Sequence, residues 1–86
     1  MIVHIDFRRW VRAKGLSHRT RHVYINLLVL TREVPQKPLD RWRQALGLKI
    51  GQWHATKGEL RQAGLLRAGE LSIHPAILLT PEAAQK

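Results

Sequence analysis

The stretch from His18 to Glu33 is apolar around too much of its circumference to lie on a protein surface. Ser17 is placed to cap its first turn and Pro35 closes it, which predicts one helix over 18–33. Val23, Leu27, Leu30 and Val34 form its main apolar stripe. Ile25, Leu28 and Val29 widen that stripe well past the ~100° face of an ordinary surface helix. A helix of this kind has to be covered on two sides. With 86 residues there is room for one small domain. The second cover is therefore either the N-terminal segment or a second copy of the chain.

Glycine and proline punctuate the rest. Met1 to Ile5 is apolar and β-branched and reads as an edge strand. Asp6 is placed to cap a short helix over 7–14, and Gly15 to stop it. Phe7, Trp10 and Val11 share one face of that helix, and Arg8, Arg9 and Arg12 fall on the other. Pro38 suits the start of a short helix over 39–46. Gly47-Leu48-Lys49 reads as a tight turn, followed by a helix over 50–63 that Gly64 stops. Leu65 to Arg67 and Leu71 to His74 read as two short strands around Ala68-Gly69-Glu70, with Pro75 ending the second. Residues 76–79 are apolar and are expected to pack back on the domain. Pro81 to Lys86 reads as a frayed tail. The expected core is Val23, Leu27, Leu30, Trp42, Leu46, Trp53, Leu60, Leu65 and Ile73, and His4 is expected to meet His74 across strands. The fold class is mainly α with a small β-hairpin, and 1–86 form one domain whose residues 1–16 are an N-terminal extension.

The charge is lopsided. Lys and Arg number 15 and Asp and Glu number 6, a net charge of +9. An excess of that size points to a polyanion. It is concentrated at the start of the chain, where Arg8, Arg9, Arg12, Lys14, Arg19 and Arg21 face a single acid, Asp6.

Other chemistries find little support. The absence of Cys excludes disulfides, thiolate metal sites and a cysteine nucleophile. His18 and His22 share a helical face, but no third ligand is indicated, so no metal is expected. Thr56-Lys57-Gly58 has the residues of a phosphate loop in the wrong order and inside a helix. No two carboxylates are close in register, and Ser17 and Ser72 lack a nucleophile motif. The expectation is no enzyme, no cofactor and no catalytic residue. The longest apolar run, Val23 to Leu30, is interrupted by Asn26 and is too short to span a bilayer. No signal-peptide core is visible. The expected setting is the cytoplasm, at the nucleoid if the partner is DNA.

The order of helix, short helix, turn, helix and hairpin resembles the winged helix-turn-helix family, with the motif over 39–74. Ala45-Leu46-Gly47-Leu48 resembles the end of that family's first motif helix with its turn glycine. Leu60 followed by Ala63-Gly64-Leu65-Leu66 resembles the end of a recognition helix running into the wing. The spacing between Gly47 and Gly64 also fits. The Ile73-His74-Pro75 exit into residues 76–79 is similar to winged helices of plasmid and phage replication initiators. The resemblance implies double-stranded DNA binding in transcription or replication regulation. The chain departs from the family at Lys57, where an apolar core residue is usual, and at Arg43, near a position that is usually small. The positions the resemblance turns toward DNA are Gly51, Gln52, Ala55, Gly58 and Glu59. Few of these read bases, and Glu59 would repel phosphate.

The residues themselves suggest a division of labour. Arg8, Arg9 and Arg12 are candidates for gripping phosphates, each contact releasing counterions. Lys49, His54 and Lys57 could also reach phosphates. Gln52 is the best candidate for reading an adenine edge. Arg67, on the wing, could enter a minor groove or touch the backbone. Trp42 and Trp53 are spaced as core residues, whereas Trp10 is either core or a platform for unpaired bases. Trp10, Tyr24, Ile25, Leu28 and Val29 together offer more apolar area than one small core needs, which predicts a symmetric homodimer. Two other readings use the same features. The weak base-reading face and the over-apolar helix suit a protein-interaction or assembly module, and the charge also suits an RNA-binding subunit.

Overall fold

The helix over 18–33 is covered on both sides by its own chain. The computed structural model describes residues 1–81. In chain order these form β1 (Ile2–Ile5), α1 (Phe7–Arg12), α2 (His18–Glu33), a 3-10 turn (Leu39–Arg41) running into α3 (Trp42–Ala45), α4 (Ile50–Gln62), β2 (Leu66–Arg67), β3 (Glu70–Leu71) and β4 (Ile77–Thr80). Tyr24 and Leu28 of α2 join Trp10, Leu60, Leu65, Leu66 and Ile77 in one apolar cluster. Val23 and Leu27, a third of a turn round, join Trp42, Leu48 and Trp53 in another. Trp10 is a core residue, stacked on Tyr24 with ring centroids 5.8 Å apart. The N-terminal segment is thus the second cover. Trp10, Tyr24 and Leu28, expected to form part of a dimer face, are buried within one chain, and Ile25 and Val29 are half-buried.

Helix starts follow local chemistry. The Asp6 carboxylate accepts from the Arg9 amide at 3.4 Å, and the Ser17 hydroxyl oxygen accepts from the Thr20 amide at 3.2 Å. Each satisfies an amide the helix leaves free. Two helix ends use one device. At Gly47 (φ 70°) the Leu48 amide reaches back to the Arg43 carbonyl and the Gly47 amide to the Gln44 carbonyl. At Gly64 (φ 75°) Leu65 and Gly64 do the same with Leu60 and Arg61. These are Schellman stops, which need a left-handed residue and so favour glycine. α1 ends at Arg12, earlier than expected, because the Arg21 guanidinium takes the Trp10 and Ala13 carbonyls and, at 3.2 Å, the Leu16 carbonyl.

The strands differ more from expectation. β2 and β3 form a hairpin pairing Leu66 with Leu71 and Arg67 with Glu70. Ala68 (φ 53°) and Gly69 (φ 77°) make its two-residue turn. The second strand stops at Leu71, because the buried Tyr24 hydroxyl donates to the Ser72 carbonyl and accepts from the His74 amide at 2.9 Å. Those bonds draw the backbone on either side of Ile73 inward and leave the residue 38% exposed, outside the core where it was expected. Leu30 and Leu46 are half-buried, and the other expected core residues are buried. Residues 77–80 form a strand, antiparallel to β1, with Ile5 opposite Ile77 and Ile2 opposite Thr80. His4 therefore faces Leu78 and bonds Thr80 through Nε2 at 3.1 Å, and does not meet His74, which packs edge-on against Trp10. Of the expected tail, residues 82–86 lie outside the described residues. No helix among the described residues is long and apolar enough to cross a membrane.

Candidate nucleic-acid interface

α4 buries Trp53, Thr56, Lys57 and Leu60, and this periodicity settles which of its residues face outward. Gly51, Ala55, Gly58 and Gln62 follow one another at helical spacing along the side opposite the core. All are exposed except Gly58, which is half-buried. A methyl group added at Gly51 or Gly58 would meet no heavy atom within 4 Å. Internal packing therefore does not require either glycine, although each costs the helix about 0.5–1 kcal/mol relative to alanine. His54 and Arg61, both exposed, flank this smooth strip.

Three polar side chains of α4 have internal duties. Lys57, expected to reach phosphate, is only 9% exposed. Its ammonium lies 3.0 Å from the Asp40 carboxylate, which also accepts from the Trp53 indole at 2.7 Å, and it sits over the Trp53 ring. Hydrogen bonds from Trp53 and Lys57 hold the Asp40 carboxyl below its ordinary pKa. The resemblance in the sequence implies an apolar residue at this position. Here the methylene stem fills the space and the head is paired at the edge of the core.

Gln52, expected to read a base, has its Oε1 engaged by the Lys49 amide at 3.0 Å. This is half of a capping box, since an ammonium side chain has no acceptor with which to return the bond. Its amide nitrogen has no hydrogen-bond partner among the described residues. Glu59, expected to repel phosphate, turns to the start of α2. It accepts from the Ser17 amide and the Thr20 hydroxyl, each at 2.6 Å, with the Ser17 hydroxyl at 3.2 Å. Burial works to raise its pKa, but the bonds from Thr20 and Ser17 prevail and hold it below the ordinary value.

The remaining candidates lie on the surface. Arg8, Arg12, Lys49, His54 and Arg67 are exposed; His54 acts electrostatically on Asp40, and no described carboxylate forms an ion pair with the other four. Arg9 is exposed and lies 3.6 Å from Asp6. Among the eight residues singled out in the sequence, Gln52 is hydrogen-bonded to another of them, through the Lys49 backbone amide. Arg8, Arg9 and Arg12 lie on α1, Lys49 is the N-cap of α4, Gln52 and His54 lie on its first two turns, and Arg67 is on the hairpin. Arg61 joins them only once the fold is seen. Its signal was legible, since it follows His54 by seven residues and so shares its face. Arg43, near a position where the sequence resemblance implies a small residue, donates to the Leu48 carbonyl at 2.9 Å and braces the turn before α4.

Among the described residues no group of His, Asp and Glu is arranged to hold a metal ion. The buried hydroxyl of Tyr24 has its pKa raised by burial, and His74 is held below its ordinary pKa by burial and by the Arg21 charge. Both side chains are bound to backbone groups of the fold. No family model, no curated protein and no solved structure matches the chain.

Proposed function

We propose that the chain is a winged helix domain that binds double-stranded DNA chiefly through phosphates, in the regulation of transcription or replication. The observation that carries this reading is the fate of the charges. Asp40 and Glu59 are engaged inside the fold, by Lys57 and Trp53 and by Ser17 and Thr20. Among the described residues, the exposed arginines and lysine of α1, the start of α4 and the hairpin form no ion pair with an acid, apart from Arg9 beside Asp6. A surface of that kind suits a polyanion and gives affinity that falls steeply with salt.

α4 fits the role of a recognition helix. It is presented on the body of the domain, stopped by Gly64 and followed directly by the hairpin that serves as the wing. Its strip of Gly51, Ala55 and Gly58 would let the helix backbone come close to a groove floor, with His54 and Arg61 beside it. The Gln52 amide nitrogen is the polar group best placed to meet a base edge.

The test is fluorescence anisotropy with labelled duplex DNA, single-stranded DNA and structured RNA across a salt series. Duplex DNA should bind most tightly, with log affinity falling linearly against log salt. Preference for structured RNA would favour the RNA-binding reading. Failure to bind any of the three beyond weak non-specific association would leave a protein-interaction module.

A further inference from the structure

Among the described residues, an apolar groove of about 570 Å³ lies open between α1 and the first half of α2. Its floor is Trp10 and Ile25. Its outer wall is Phe7 and Val11, one turn apart on α1 and 70% and 68% exposed. The opposite wall is the row from His18 through His22 to Asn26, about 12 Å or two helical turns long. Two nearly continuous helical walls with an apolar floor are the setting in which a third helix lays down its apolar face.

Charge decides what kind of helix. None of the groove-lining side chains is acidic. Arg21 contributes a guanidinium that three backbone carbonyls hold in place and no described carboxylate neutralises. Arg8 and Arg12 do not line the groove, but each follows a wall residue of α1 by about 100° round the helix, which puts both beyond its outer wall and within reach of the outer side of a docked helix. The one acid beside α1, Asp6, caps that helix and pairs with Arg9. A second copy of the chain fits poorly, because a two-fold interface sets a patch against itself and would bring this basic rim onto its own image. A lipid surface fits poorly too, since the floor is recessed between two helices.

The geometry points to an acidic amphipathic helix of a partner protein as the occupant of this groove, with its apolar side chains on Trp10 and Ile25 and its carboxylates on Arg8, Arg12 and Arg21. The groove is lined by β1, α1 and α2 and by no residue of α4, but it shares Arg8 and Arg12 with the cations proposed to grip DNA, so peptide and duplex should compete for them.

The probe is a dye-labelled peptide of about four helical turns, with Leu at i, i+4, i+7 and i+11 and with Glu, Gln and Ala elsewhere. A control peptide has the same composition with its leucines spread round the helix. The full chain should bind the first peptide at physiological salt, and the control about tenfold more weakly or less. The Phe7→Ser/Val11→Ser double variant changes only exposed positions and should unfold at the unchanged midpoint. It should lower affinity for the first peptide about tenfold. Arg8→Gln/Arg12→Gln should lower the affinity and flatten its salt dependence. Equal binding of the two peptides, indifferent to Phe7→Ser/Val11→Ser, would reduce the effect to bulk charge and overturn the proposal. So would a dimer in sedimentation that Phe7→Ser/Val11→Ser dissolves, or binding to phosphatidylglycerol vesicles without binding to the peptide.

Discussion

Glu59 accepts a 2.6 Å hydrogen bond from the hydroxyl of Thr20, a residue 39 positions earlier in the chain. The same carboxylate takes the Ser17 amide, so a side chain of α4 helps satisfy the first turn of α2 and sets a negative charge against its positive end. Glu59→Ala should cost about 1–2 kcal/mol of unfolding free energy, on the scale of a missing N-cap. A double-mutant cycle with Thr20→Val should return a coupling of at least about 0.5 kcal/mol in denaturant unfolding. Additive effects would mean the bond contributes nothing.

Acid should weaken the fold in two stages. The folded pKa of His74 lies below its ordinary 6.5, so as the pH falls through that value the unfolded chain takes up the proton first, and stability drops. Protonation at Nδ1 would also remove the acceptor for the Ala76 amide. Glu59 and Asp40 lie below their ordinary 4.5 and 3.8, so the same sign applies and a second loss follows at lower pH. Unfolding midpoints by circular dichroism from neutral pH downward should show both falls. Glu59→Gln should flatten the lower one only, and His74→Gln the upper one only.

Gly51→Ala and Gly58→Ala each have room for the added methyl and should stabilise the protein by about 0.5–1 kcal/mol. If α4 lies in a DNA groove, bulkier Gly58→Gln should weaken duplex binding without lowering the unfolding midpoint. Wild-type affinity for Gly58→Gln would place the DNA elsewhere on the domain.

The hairpin turn carries a non-glycine residue, Ala68, in the left-handed region, followed by Gly69. Asn tolerates that conformation better and precedes Gly in the favoured two-residue turn. Ala68→Asn should therefore stabilise the protein by about 0.5–1 kcal/mol, read as a higher denaturation midpoint.

Replacing Arg8, Arg9 and Arg12 together should weaken all duplexes alike and flatten the salt dependence by about one unit of slope for each phosphate no longer neutralised. Lys57→Ala should behave differently. It removes the Asp40 partner and a cation over Trp53, so it should lower the unfolding midpoint and leave the salt slope unchanged. Gln52→Ala should cost about 0.5–1 kcal/mol of stability by removing the cap, besides any effect on base preference. A Lys57→Ala variant that flattens the slope at full stability would return Lys57 to the phosphate-binding set.

The helical layout could be read from the chain because its determinants are local. Asp6 and Ser17 serve amides three residues on, and Gly47 and Gly64 stop their helices through bonds spanning at most five residues. The width of the apolar face on α2 likewise fixed its need for two covers. Tertiary structure decided the destination of the polar side chains and the pairing of the chain ends. Lys57 meets Asp40 across 17 residues, Glu59 meets Ser17 across 42, and Tyr24 meets His74 across 50. Periodicity can place such a residue on a face, but it carries no information about which distant group will be there to bond it. The same holds for β1 and β4. Each is a short apolar strand with several conceivable partners. Only the packing of Trp10 and Ile77 into one cluster brings them side by side.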